Sequence, residues 1–78
     1  MTLWDLEEER VALVMGFVDG ISPAYQQRLQ DLGFHISQKV TCLKCLPFGG
    51  PKVIAIGTSV YSLSKELALS MTISPVTY

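Results

Sequence analysis

Histidine is nearly absent from this chain of 78 residues; there is one, His35. A ferrous site built from two histidines and a carboxylate cannot be assembled from a single copy of it. A Ser-His-Asp triad would have to recruit its serine and aspartate to a segment with no nucleophile-elbow pattern. His35 is therefore expected as a solvated loop residue. Charge is scarce as well: six Lys and Arg stand against seven Asp and Glu, a net charge of −1. With no basic run, the chain lacks the attraction on which nucleic-acid binding depends, and neither nucleic acid nor anionic lipid is an expected partner. The longest apolar run, Val11 to Val18, is interrupted by Gly16 and falls far short of the ~20 residues of a membrane-spanning helix. The opening MTLWDLEEER has neither the positive start nor the apolar stretch of a secretion signal. A cytoplasmic location follows, with no membrane insertion and with both cysteines reduced.

Those cysteines, Cys42 and Cys45, have the C-x-x-C spacing of zinc ribbons and redox proteins. On a regular strand, residues three apart point to opposite faces and lie ~10 Å apart, too far for a shared metal or a disulfide. A second ligand pair for zinc is missing from the sequence. The expectation is a packed Cys42 and an incidental Cys45. The acidic run Glu7-Glu8-Glu9 is expected as a solvated turn, because three consecutive carboxylates seldom converge on one hard cation. Gly49-Gly50 has neither the spacing nor the Lys-Ser/Thr ending of a phosphate loop. With no enzyme signature, neither catalytic activity nor a cofactor is expected.

What the chain does have is apolar content, 49% of its residues, enough for one domain spanning 1–78. At this length burial covers only ~60% of the surface of the unfolded chain, so the core must be continuous. Thr2 and Asp5 can cap a short turn carrying Leu3 and Leu6. Val11 to Val18 reads as a buried strand ending at Asp19-Gly20. In ISPAYQQRLQDLGF, Ser22 can cap, Pro23 suits the first helical position and Gly33 the position after the end. Tyr25, Leu29 and Leu32 form the apolar stripe of that helix, with Gln26, Gln27, Gln30 and Asp31 toward water and Arg28 beside the stripe. Lys39 to Leu46 reads as a strand with Val40 and Cys42 on one face. Lys52–Ile56 and Ser59–Leu63 form a hairpin across Gly57-Thr58. Ser64 caps a helical turn through Ala68, and Met71 to Ser74 closes the fold as a last strand. About five short strands with one inserted helix predict a mostly β fold, a small SH3-like barrel that hides sheet edges by closing or nearly closing.

Peptide-binding SH3 domains line a groove with several aromatics. Here Trp4, Phe17, Tyr25, Phe34, Phe48, Tyr61 and Tyr78 are scattered, and most are expected in or beside the core. Phe48 differs. At the tip of Pro47-Phe48-Gly49-Gly50-Pro51 it either folds inward as a plug or stands out as an anchor.

The order of these features carries a resemblance. An N-terminal Leu-x-x-Leu, a strand ending in Gly16-Phe17, the helix ISPAYQQRLQDLGF, the turn LPFGGP, the run VIAIGTSVYSL and the segment SKELA together resemble the FeoA family, the small cytosolic proteins of bacterial ferrous iron transport. The likeness runs from Leu3 to Ile73; Arg28-Leu29, Leu32-Gly33 and Pro47-x-Gly-Gly-Pro carry it most specifically. Glu8-Glu9 and Ile36-Ser37 stand where the family often has Pro-Gly turns, which bears on loop geometry. The resemblance implies an SH3-like barrel with an inserted helix, no catalysis, and cooperation with FeoB, a permease with a cytosolic GTP-binding domain. A third small Feo protein and self-association are further partners it allows. Tyr25, Gln26 and Arg28 on the helix, and Pro47, Phe48, Gly49 and Gly50 in the turn, are the expected contact residues. An alternative is a ferrous or other divalent-metal sensor acting through an oligomer interface, since similar domains end iron- and manganese-dependent repressors and a dimer would double His35 and both cysteines.

Overall fold

A computed structural model describes residues 1–76; Tyr78 lies outside the described residues. Five strands, β1 (Val11–Phe17), β2 (Lys39–Cys45), β3 (Lys52–Ile56), β4 (Ser59–Leu63) and β5 (Met71–Pro75), form one antiparallel sheet in the order β4-β3-β2-β1-β5. Helix α1 (Pro23–Asp31) is inserted after β1, and helix α2 (Lys65–Leu69) joins β4 to β5. This is the mostly β, SH3-like arrangement that the sequence predicts. Strands β4 and β5 are not hydrogen-bonded to each other, so the sheet curls without completing its ladder. A 3-10 turn at Leu3–Asp5 packs against α2 and β5, and α2 itself is capped by Ser64, whose Oγ accepts from Leu67 N at 3.3 Å.

Alternation explains the sheet. Ala12 and Val14, Val40 and Cys42, and Ile54 and Ile56 point inward from β1, β2 and β3 and are buried. Each such Val or Ile contributes roughly 1.5–3 kcal/mol by leaving water. β1 is buried on one face only, with Val11 and Leu13 half-buried and Met15 exposed, because its outer face has no covering layer. Bulges at Met15, against β5, and at Leu43, against β3, interrupt the pairing and bend the strands, as curling a short sheet requires. The β3–β4 hairpin turns at Gly57-Thr58, with Gly57 at φ 59°, the positive value that a two-residue hairpin demands at its first central position. The free edge of β5 is covered by the chain start: Thr2 bridges Thr72, and Ile73 N donates to Met1 O at 3.0 Å.

The N-terminal cap forms, with the Asp5 carboxylate accepting from Thr2 N at 3.0 Å and from Thr2 Oγ1 at 3.3 Å. These bonds hold the Asp5 carboxyl below its ordinary range. Leu3 and Leu6 are thereby fixed in the core. Helix α1 departs from expectation in two respects. Ser22 occupies the cap position, but its side chain makes no capping bond; its carbonyl accepts from Gln26 N at 3.0 Å. The stripe is also narrower than its spacing suggests: Leu29 is fully buried, Leu32 half-buried and Tyr25 exposed, while Gln26 and Gln30 are half-buried. Ile21 before the helix and Phe34 after it are both held by the core, and this short helix is therefore oriented from its ends, with Leu29 alone pointing fully inward.

Candidate functional site

The segment between β2 and β3 is stiff by composition. Pro47 and Pro51 fix two backbone torsions, and Leu46 N donates to Pro51 O at 3.3 Å across the base. At the tip, Gly50 N donates to Pro47 O at 3.1 Å, and both central residues are left-handed, Phe48 at φ 60° and Gly49 at φ 71°. Two positive torsions inside such a bond are the signature of a type I′ turn. Gly50 sits in a close approach: a Cβ there would lie 3.0 Å from Leu46 Cβ and 3.1 Å from the Pro47 carbonyl oxygen, so its neighbours would have to give way. Glycine suits this conformation at position 49, whereas phenylalanine at 48 bears a strain of about 1–2 kcal/mol. Packing of the ring does not offset it, because the Phe48 side chain is fully exposed. Of the two expected fates, plug and anchor, the ring has the anchor's placement. Pro47 and Gly49 are exposed beside it and Gly50 is half-buried.

The helix residues stand apart. Tyr25 lines a groove of about 300 Å³ together with Val18–Ser22, Glu66 and Ser70, between the start of α1 and the end of α2. Gln26 is half-buried and Arg28 exposed. Gly33, just past the helix, lies near Ile56 at the end of β3, with 3.6 Å from its virtual Cβ to Ile56 Cδ1. The Phe48 turn leaves the opposite end of that strand pair, beyond Cys45 and Lys52. No hydrogen bond among the described residues joins the two groups, so the fold presents them as two surfaces rather than one.

The cysteines correct the sequence reading. Because Leu43 bulges between Cys42 and Lys44, the alternation loses one step and both sulfurs turn to the same side, 3.7 Å apart. The ~10 Å separation of a regular strand does not apply here. Cys42 is fully buried and Cys45 half-buried, and both thiols are free. Burial, helped by the adjacent Cys45 thiol and opposed by Lys52, pushes the Cys42 thiol up to about 11. Around the pair sit residues that the sequence reading passed over. Lys52, nearly buried, donates through Nζ to the Leu6 carbonyl oxygen, which Cys45 Sγ also approaches at 3.9 Å. The Trp4 ring lies 5.4 Å from Lys52 Nζ and 5.6 Å from Lys65 Nζ, within cation–π range of both. The alternation Lys52, Ile54, Ile56 already places Lys52 on the inner face, and that was the available signal. Glu8 is more than a solvated residue: its Oε1 accepts from Cys45 N at 2.8 Å. His35 is exposed in the turn after Gly33, as expected. Among the described residues, no three or more His, Cys, Asp or Glu side chains converge as a metal site, and no helix is long and apolar enough to cross a membrane.

With this geometry in place, the relatives are informative. No curated protein matches the chain by sequence. Among solved structures, the Stenotrophomonas maltophilia FeoA complexed with zinc is 26% identical, covers 95% of this chain and 89% of its own, and superposes with a TM-score of 0.83. That protein is described as a prokaryotic SH3 domain and a candidate bacterial ferrous iron transport activating factor. The FeoA protein of Chlorobium tepidum is 25% identical over 99% of this chain and 71% of its own, with a TM-score of 0.87. A manganese-dependent transcriptional repressor, at 17% identity over 97% of this chain and 41% of its own, shares the fold with a TM-score of 0.86. The FeoA domain model matches residues 1–75, and the chain is a member of the FeoA family.

Proposed function

We propose that this chain is a non-catalytic, cytoplasmic accessory protein of ferrous iron uptake that acts by contact with the cytosolic, GTP-binding part of the FeoB permease, and that Phe48 is the anchor of that contact. The observation that carries this reading is the fully exposed Phe48 ring held in a left-handed turn. A strained, exposed aromatic gains nothing for the folded monomer, whereas an aromatic on a preorganised turn binds with little loss of freedom. Family membership and the description of the Stenotrophomonas protein as a candidate transport activating factor supply the iron-uptake context. Tyr25, Gln26 and Arg28 form a second contact surface on α1, where Tyr25 and Arg28 are exposed.

Binding of the reduced chain to the cytosolic part of its cognate permease, measured with and without guanine nucleotide, tests this. Wild type binds, Phe48→Asp does not, and both give the same circular dichroism spectrum. Equal binding by the two proteins, together with normal ferrous uptake in cells carrying Phe48→Asp and Arg28→Glu, would remove both surfaces from the contact.

A further inference from the structure

The Cys42–Cys45 pair plays no part in the contact proposed above. A straight strand would separate the two side chains, but the bulge at Leu43 brings their sulfurs to 3.7 Å, a van der Waals contact. Closing that gap to a bond of about 2.05 Å needs a movement of about 1.7 Å, within reach of side-chain rotation. The two thiols are unequal in access. Cys42 has 0% exposure, whereas Cys45, at the end of β2, is half-buried. Their surroundings are also polar on one side. Lys52 pairs across from Cys45 in the β2–β3 ladder, and its ammonium shares the Leu6 carbonyl oxygen with the Cys45 sulfur. A cation fixed there stabilises negative charge that develops on sulfur during exchange. Glu8 holds the Cys45 amide at 2.8 Å and so fixes the backbone that aims the pair.

We propose that Cys45 and Cys42 form a thiol–disulfide exchange site for low-molecular-weight disulfides of the glutathione type, with Cys45 as the attacking and Cys42 as the resolving sulfur. In the first step Cys45, as thiolate, attacks one sulfur of the disulfide RSSR. A bond forms between Cys45 Sγ and that sulfur, the S–S bond of the reagent breaks, and the departing RS⁻ takes up the proton that Cys45 released. In the second step Cys42 gives its proton to solvent and attacks Cys45 Sγ. The protein disulfide forms, the mixed disulfide breaks, and the second RS⁻ leaves and is protonated. Two electrons pass from the protein dithiol to the reagent, and the products are one internal disulfide and two RSH. Burial favours the neutral Cys42 thiol, which is consistent with its acting second, once Cys45 holds the reagent beside it. The ring closes immediately before Leu46, where the segment carrying Phe48 begins.

The test treats the reduced full chain with glutathione disulfide, quenches samples in time with an alkylating reagent, and reads intact mass and tryptic peptides. Wild type is expected to pass through a single glutathionyl adduct on Cys45 and end with the loss of two hydrogens and a Cys42–Cys45 bond. Cys42→Ser should stop at the adduct, and Cys45→Ser should stay unmodified over the same interval. A wild-type adduct that never resolves, initial modification at Cys42, or no reaction in the folded chain while the urea-unfolded chain reacts would each overturn the proposal. The wild-type time course decides the matter even where a variant fails to fold.

Discussion

Lys52 Nζ donates to the carbonyl oxygen of Leu6, joining β3 to a segment 46 residues earlier in the chain. The bond satisfies a main-chain acceptor at the C-terminal end of the 3-10 turn, and the same ammonium lies 5.4 Å from the centre of the Trp4 ring. Lys52 is 6% exposed and is therefore a nearly buried cation whose position is defined by one carbonyl and one aromatic face. Lys52→Met keeps the stem and removes the donor. The Leu6 carbonyl then loses its strongest partner, at an expected cost of about 1–3 kcal/mol. Urea unfolding of the two proteins measures it; equal midpoints would show that the bond contributes nothing net.

The tip of the Phe48 turn makes a paired prediction about glycine. At Gly50 an added Cβ meets Leu46 Cβ at 3.0 Å and the Pro47 carbonyl oxygen at 3.1 Å, neither of them the end of a flexible side chain. Gly50→Ala should therefore shift backbone and destabilise by about 1–3 kcal/mol. At Gly49 nothing lies within 4 Å, and only the positive torsion opposes alanine. Gly49→Ala should cost about 1 kcal/mol. Thermal unfolding of both variants tests the ranking, and a milder effect at Gly50 would mean that the turn opens freely.

Local chemistry was legible in the sequence wherever one residue decides a conformation. Gly57 located the hairpin, Pro23 and Gly33 bracketed α1, and Ser64 capped α2, because each satisfies or forbids a specific backbone geometry. The bulge at Leu43 was not legible. Nothing in Cys42-Leu43-Lys44-Cys45 signals an extra residue; the pairing of β2 with β3 and the curl of the sheet impose it, and the contact of the two sulfurs follows from it. The half-burial of Gln26, and the outward position of Tyr25 within the apolar stripe, were not legible from periodicity for a related reason. Periodicity defines a stripe, whereas the anchoring of Ile21 and Phe34 sets how α1 is rotated on the barrel. For the turn, glycine and proline marked its place, and only the folded backbone decided that Phe48 points outward.

Cys42 makes stability depend on pH in the alkaline range. Its thiol titrates at about 11 in the folded chain against an ordinary 9.0, chiefly because burial penalises the thiolate. A raised folded value means that the unfolded chain loses this proton first. The stabilisation is fully present below the unfolded value and is lost as pH rises through the folded one, so unfolding free energy should slope downward by up to about 1.4 kcal/mol per pH unit in that window. Cys42→Ala, followed by urea unfolding under reducing conditions from about pH 8 to about pH 11, should lose this part of the slope. Parallel curves for the two proteins would place the thiolate at no disadvantage in the core.

Phe48→Asn separates the needs of the fold from those of the contact. Asparagine tolerates the left-handed conformation that Phe48 holds at φ 60°, and removing a fully exposed ring takes no packing away. Relief of roughly 1 kcal/mol of strain should raise the melting temperature by about 4–8 °C in a domain of this size. Under the proposed contact the same change removes its anchor, so ferrous uptake and binding to the permease should fall together while stability rises. Such opposed effects would mean that the fold retains a costly residue for its partner. A more stable variant with undiminished binding and uptake would instead show that the exposed ring has no part in the contact, leaving the α1 surface around Tyr25 and Arg28 to carry it.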